Sequence, residues 1–275
     1  MLEMLDSKNW LAHCNTNKKL TELLLPGTHD TMTAPCKTRY YRTQVLSLQA
    51  QLNVGVRYLD VRLRNDMHAA HRKWMSKVTA EEILDTCGTF LVKHPSEFIL
   101  MRLQNANERK DDFEAYGISL KQVIANYRDL FYSWKGESTP WITIGEARGK
   151  IIALDCAPPA MRLNFYQGRP WAITWHENPT ILLQDLWDGP TLEEKEQAII
   201  HCVRQTSEVP LNILSLNHIS ATNGSLGYPD AFASRLNPDT LKLLRNLHKP
   251  RGVWIYDFLT SEICKSVLMK NFEEA

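Results

Sequence analysis

The 275-residue chain is 44% hydrophobic and 23% charged, proportions of a folded protein rather than a disordered or fibrous one. Its 32 Lys and Arg against 31 Asp and Glu leave a net charge of +1, so there is no global basic field to draw a nucleic acid, and any anion must meet a local site. No apolar run approaches the ~18 residues needed to cross a membrane as a helix.

Residues 1–17 carry Glu3 and Asp6 and no sustained apolar core, so they do not read as a secretory signal. A cytoplasmic location, or export without a cleavable signal, is expected; a chain already stripped of its signal would look the same. Short apolar runs follow at 23–25, 56–63, 98–103, 151–154, 181–183, 211–216 and 253–256. Several are continuous rather than alternating, which suits parallel strands covered on both faces. Helical patterns lie between them. Thr79 with Glu82, and Thr191 with Glu194, are capping boxes that each open an amphipathic stretch. Asn237 followed by Pro238 reads as a cap and first helical residue leading into 240–247. Cys14, Cys36, Cys87, Cys156, Cys202 and Cys264 show no paired or metal-ligand spacing and read as free thiols. No linker or repeat divides the chain, so the α/β pattern predicts one distorted (β/α) TIM-type barrel over 1–275, with its core at about 20–265.

In such a barrel, chemistry sits at the C-terminal ends of the strands. Those ends offer His29 and Asp30, Asp60 and Arg62, His71, Arg102 and Gln104, Asp155, Asp185, Asn217 and His218, and Asp257. Ionisable groups recur at nearly every strand exit, where burial is costly unless they are paired. Gly27 lets the chain leave the first strand with His29 and Asp30 projecting. Asp60 and Arg62 share a strand face by the period of two. His68, three residues before His71, competes with it.

The run Leu25-Pro-Gly-Thr-His-Asp-Thr31, then Gly55-Val-Arg-Tyr-Leu-Asp-Val-Arg62, then His71, resembles the phosphatidylinositol-specific phospholipase C family and its X domain. His94-Pro-Ser-Glu97, 145–150, Gln184-Asp185 and 252–257 are similar to the bacterial branch, so the likeness spans roughly 20 to 263. It implies a distorted TIM barrel that cleaves phosphatidylinositol to diacylglycerol and a cyclic inositol phosphate. By resemblance, His29 is the base, His71 the acid, Asp257 supports His29 and Asp30 supports His71. Imidazoles suit the two roles because their ordinary pKa of ~6.5 lets one be neutral and one charged. Arg62 is then the phosphate clamp. The eukaryotic branch holds calcium with an asparagine and acidic groups where Asp30 and Arg62 stand here. A guanidinium cannot ligate calcium but can replace its charge, so no metal or other cofactor is expected.

The resemblance departs at the headgroup pocket. A bacterial arginine that contacts inositol falls near Cys156, a lysine aligns with Gln104, and the glycine after the acid histidine is Arg72. Asp185 is kept, with Trp187 two residues on. Gln104, Asp185 and Trp187 are the expected substrate contacts. Lys37, Arg39, Tyr40, Tyr41 and Arg42, with Trp74, have the composition of an interfacial anchor, and the resemblance implies a short helix at 37–42. The expected partner is an inositol phospholipid at a membrane surface, met by a monomer, with no nucleic acid and no transmembrane segment. Two alternatives stay open: a glycerophosphodiester phosphodiesterase, which normally needs an acidic metal site, and a non-catalytic lipid-binding module.

Overall fold

The structure, a computed structural model, describes residues 5–107, 109, 112–134 and 141–273. Strand β1 (Leu24–Thr28) leads through α1 (Leu48–Val54) to β2 (Tyr58–Leu63), then to a hairpin of β3 (His68–His71) and β4 (Trp74–Thr79). Next come α2 (Ala80–Lys93), β5 (Ile99–Asn105), α3 (Phe113–Asn126), α4 (Ile144–Ala147) and β6 (Ile151–Asp155). The second half has β7 (Phe165–Tyr166), β8 (Arg169–Pro170), β9 (Ala172–Thr174) and β10 (Ile181–Gln184). It ends with α5 (Leu192–Glu208), β11 (Leu214–His218), α6 (Pro229–Arg245), β12 (Gly252–Tyr256) and α7 (Ser261–Met269).

Eight strands pair in parallel in the order β10-β11-β12-β1-β2-β5-β6-β9, and the sheet curls into a barrel. Among the described residues no pairing joins β9 to β10, so the barrel is open there. Connectivity explains the gap. A parallel crossover needs a dozen or more residues, and only residues 175–180 link these strands. β1, β6, β11 and β12 are buried along their whole length, as strands covered on both faces are.

Both predicted capping boxes form, at Thr79–Glu82 and Thr191–Glu194. The helix start at Asn237-Pro238 is corrected: α6 begins at Pro229, and Pro238 lies inside it. The buried face Phe232, Leu236, Thr240 and Leu244 runs on at helical spacing through the proline. Packing of that face offsets the ~3 kcal/mol an interior proline costs. Asn237 caps nothing; its Nδ2 donates to the Asp257 carbonyl at 3.0 Å. Residues 37–42 form turns, not the short helix the resemblance implied. All six cysteines are free thiols, and no helix of the described residues is long and apolar enough to cross a membrane.

Polar chemistry at the N-terminal end of the barrel is structural. Arg57, just before β2, and Glu97, just before β5, form a fully buried ion pair at 2.7 Å. Arg57 also donates to the carbonyls of Leu52, Val56, Ser7 and Lys8. Glu97 accepts from the Leu11 N–H and the Ser96 hydroxyl. The pair therefore ties the N-terminal segment, α1 and two strands together. Gly55, with φ 111°, ends α1 in the left-handed region and receives the Trp10 indole N–H on its carbonyl.

Removing one partner of a buried pair leaves the other charge uncompensated, at ~3–5 kcal/mol. Glu97→Ala is expected to lower the unfolding free energy by about that amount in a denaturant titration. A change under about 1 kcal/mol, the range of a surface pair, would show that the pair contributes only what an exposed one does.

Candidate active site

At the exit of β1 the backbone turns sharply to expose two side chains. A Cβ on Gly27 would meet the Tyr58 ring at 2.9 Å, so only glycine permits this approach of β1 to β2. The His29 N–H is bonded to the Tyr256 carbonyl at 3.0 Å, and Asp30 takes a left-handed φ of 42°, which an aspartate tolerates better than most residues. That turn folds the Asp30 carboxylate back into the barrel mouth. Beneath it, Gln44 donates to the carbonyls of His29 and Tyr256, and the Thr43 hydroxyl donates to those of His29 and Asp30. Positive φ recurs at Arg72, after His71, and at Phe258, after Asp257. Strain of this kind gathers where side chains must be aimed.

Asp30 is the junction of the site. Its Oδ2 lies 3.2 Å from His29 Nε2 and 3.2 Å from His71 Nε2, while its Oδ1 meets Arg62 Nε at 2.9 Å. His29 Nδ1 is 2.7 Å from Asp257 Oδ1, and His71 Nδ1 is 2.7 Å from the Tyr41 carbonyl. Both acceptors assign the Nδ1 protons, which leaves each neutral ring with a lone pair on Nε2. Two lone pairs and a carboxylate oxygen repel unless a proton lies among them. Burial pushes His29 well below the ordinary imidazole value. Burial also lowers His71, against the pull of the Asp30 charge, and raises Asp30, against Arg62 and His71. Both shifts narrow the gap between Asp30 and His71, so a proton can pass between them, and the His29 shift favours its neutral form. Burial and then the Asp30 charge push the Asp257 carboxyl up.

Arg62 Nη2 also meets Asp60 Oδ2 at 2.8 Å, and Asp60 is fully buried. His29, Asp30 and Asp60 form a set of metal-type ligands among the described residues. Arg62 bonds both carboxylates of that set, so a cation there must displace a guanidinium. The donor set does not fit calcium, which takes six to eight oxygens.

His29, Arg62, His71 and Asp257 line a cavity of about 450 Å³, together with Gln104, Asp185 and Trp187. The choice between histidines is settled by position: His71 reaches the cavity, whereas His68 pairs with Asp66 at 3.4 Å. Tyr41 also lines the cavity, its ring edge-on to His71 at 5.9 Å, so it belongs to the pocket wall. Tyr40 packs on Tyr41 and Tyr228, Arg39 pairs with Asp230 at 2.8 Å, Arg42 donates to the Gln44 carbonyl, and Lys37 is exposed. Trp74 is half-buried, paired with His71 across the hairpin. Asp155 is not among the cavity residues: it accepts from the Ala157 N–H, and burial lifts its carboxyl to about 6. Asn217 is structural, bonded to Gln184 and the Ile199 carbonyl.

Some cavity features had no signal in the sequence beyond their place near a strand end. Arg102 lines the cavity and is backed by two buried rings outside its lining: the guanidinium lies 4.1 Å over the Trp175 ring, and His218 is edge-on to both His29 and Trp175. Lys195 reaches up from α5, fully buried, to bond Gln184 Oε1 and the Leu186 carbonyl, holding the segment that carries Asp185. Arg72 lies between the rings of Tyr40 and Trp187 at 5.2 and 5.3 Å.

The PI-PLC X family model matches residues 14–129. The 1-phosphatidylinositol phosphodiesterase of Listeria monocytogenes is 29% identical, over 96% of this chain and 85% of that protein. The protein of the same name from Staphylococcus aureus is 23% identical over 94% of both chains. The solved phosphatidylinositol-specific phospholipase C of Listeria monocytogenes superposes with a TM-score of 0.88, at 29% identity, covering 98% of this chain and 100% of that one. A Staphylococcus aureus phospholipase C structure shares the fold, with a TM-score of 0.76 at 22% identity over 95% and 97% of the two chains.

Burial brings the His218 imidazole down to about 4. Below ~6.5 the unfolded chain takes up a proton that the folded protein refuses until about 4, so stability falls as pH falls across that window. Two and a half pKa units are worth about 3.5 kcal/mol in full at ~1.4 kcal/mol per unit, of which about 3 is lost by pH ~4, where the folded group is half protonated. Between pH ~7 and ~4, wild type is expected to lose about 3 kcal/mol more than His218→Gln in matched denaturant titrations. Parallel losses in the two proteins would show that His218 is not held neutral.

Proposed function

Because the chain belongs to the phosphatidylinositol-specific phospholipase C X-domain family, we propose that it is a phosphodiesterase cleaving phosphatidylinositol to diacylglycerol and a cyclic inositol phosphate. One observation carries the mechanism: two imidazoles and a guanidinium converge on Asp30 at the cavity wall. His29, neutral and oriented by Asp257, takes the proton of the inositol 2-hydroxyl on Nε2. The freed oxygen attacks phosphorus, and the bond from phosphorus to the glycerol oxygen breaks. His71 Nε2 delivers the proton it shares with Asp30 to that leaving oxygen. Arg62, fixed by Asp30 and Asp60, faces the charge that builds on the phosphoryl oxygens, a preorganised donor of the kind worth ~10²–10³ in rate.

This mechanism asks nothing of a metal, since Arg62 supplies the positive charge at the phosphoryl group. Gln104, Asp185 and Trp187 form the headgroup side of the pocket in this reading. The exposed Lys37, with Tyr40 and Tyr228, forms a rim that rests on the bilayer, and the protein acts peripherally, as a monomer.

The test is cleavage of phosphatidylinositol vesicles followed by phosphorus NMR, with and without chelator. His29→Ala and His71→Ala are each expected to lose ~10²–10⁴-fold in turnover while staying folded, with His68→Ala near wild type. Activity is expected to persist in chelator. Loss in chelator with recovery on adding calcium would falsify the role given to Arg62.

Lys37→Ala is expected to weaken binding to anionic vesicles about fivefold, as a cation near such a surface contributes ~1 kcal/mol. Turnover of a short-chain monomeric substrate should fall far less. Tyr41→Ala, by contrast, should lower both, because its ring touches His71. Equal responses to Lys37→Ala in the two assays would remove Lys37 from the membrane face.

A further inference from the structure

Arg102 on β5 is one of three arginines lining the cavity, with Arg62 and Arg72, and nothing in the phosphoryl chemistry uses it. It is only 6% exposed. Of its five N–H groups, the Nε–H alone is hydrogen-bonded among the described residues, to Cys156 Sγ at 3.0 Å. Its Nη1 lies 3.5 Å from Asp60 Oδ1, and neither atom finds a hydrogen-bond partner. Asp60 is already engaged through its other oxygen by Arg62 and by the Asp30 N–H. A counter-ion to Asp60 would therefore leave most of this guanidinium unsatisfied, and buried polar groups are rarely left so. The plane is fixed from below by the Trp175 ring at 4.1 Å and at its Nε side by Cys156. Nη1 is buried beside Asp60, and Nη2 of this cavity-lining residue has no hydrogen-bond partner among the described residues.

Acceptors line the same cavity. Gln104, two residues along β5, has a buried Oε1 without a partner. Asp185 acts electrostatically on Arg102 and lies 3.7 Å from His218 Nδ1. Free donors and free acceptors together match hydroxyl groups, which both give and accept hydrogen bonds. The Asp185 carboxylate disfavours a further phosphate. We infer that Arg102 is a specificity residue that donates from its Nη edge to the ring hydroxyls of a cyclic polyol headgroup, opposite the acceptors Gln104 and Asp185. This rests on the phosphodiesterase reading for its reaction, but the polyol site can be measured apart from it.

The test uses the full chain with Arg102→Gln and Arg102→Lys. Cleavage of phosphatidylinositol and of phosphatidylglycerol is compared by phosphorus NMR, since both lipids carry a hydroxyl vicinal to the phosphate and only one carries a ring. Binding of free myo-inositol is followed by ligand-observed NMR. Arg102→Gln is expected to lower phosphatidylinositol turnover on the order of 10- to 100-fold, the scale of a charged hydrogen bond, and phosphatidylglycerol turnover much less. Myo-inositol binding should weaken in step. Arg102→Lys keeps a charge near Asp60 but not the planar edge, so it should keep the fold and still lose the preference. It carries the comparison if the glutamine variant does not fold. Equal losses on both lipids, or full rescue by lysine, would mean that Arg102 merely positions Asp60 and Arg62, and would overturn the inference. A wild type that favours ring-phosphorylated lipid, with that preference lost in Arg102→Gln, would overturn it too. If wild type cleaves neither lipid, the proposed function fails, while myo-inositol binding that depends on Arg102 still upholds the polyol site.

Discussion

One carboxylate oxygen of Asp30 stands 3.2 Å from each of two imidazole nitrogens, and the other stands 2.9 Å from a guanidinium. Much of the upper barrel serves to keep that arrangement. The left-handed turn at Asp30 directs the carboxylate inward, the Thr43 and Gln44 hydrogen bonds hold the turn, and Asp60 fixes both the Asp30 N–H and Arg62. Because the Asp257 and Tyr41 oxygens claim the Nδ1 protons, both histidines face Asp30 through Nε2. That geometry fixes the cation, and burial favours a neutral His29 beside it.

The barrel separates stability from chemistry along its axis. At the N-terminal end of the strands the Arg57–Glu97 pair is fully buried and saturated with hydrogen bonds, so it braces the N-terminal segment against the barrel. At the other end the ionisable groups carry unsatisfied atoms, including those of Asp30, Asp60, Arg102, Gln104 and His218. Unsatisfied buried groups cost stability, and their concentration around one cavity is what a site awaiting a polar ligand requires. The opening between β9 and β10 lies on the headgroup side, next to Trp175 and Asp185, where the chain is too short to close the sheet.

Within the resemblance, the centre and the pocket follow different rules. The residues around Asp30 keep the types the phosphoryl chemistry needs. Around that centre, Gln104 and Cys156 carry no charge, and the Arg102 guanidinium, on the same strand as Gln104, stacks on Trp175 beside Cys156.

Local physics made part of this legible from the sequence by itself. Continuous apolar runs marked the buried strands, capping boxes at Thr79 and Thr191 marked two helix starts, and ionisable residues at strand exits marked candidates, among which the family resemblance singled out His29, Asp30, Arg62, His71 and Asp257. These signals depend on near neighbours, so a one-dimensional reading reaches them. Tertiary structure decided the rest. Pro238 sits inside a helix because a buried face continues past it. His71 and not His68 enters the cavity, because a hairpin of opposite-facing residues turns one inward and pairs the other with Asp66. Tyr41 is pocket wall because its carbonyl and ring meet His71 from a loop thirty residues away in sequence. Arg102 looks like any charged residue in a strand until Cys156 and Trp175 are brought beneath it by β6 and the segment after β9. Contacts between distant segments set burial and direction, and no local pattern encodes them.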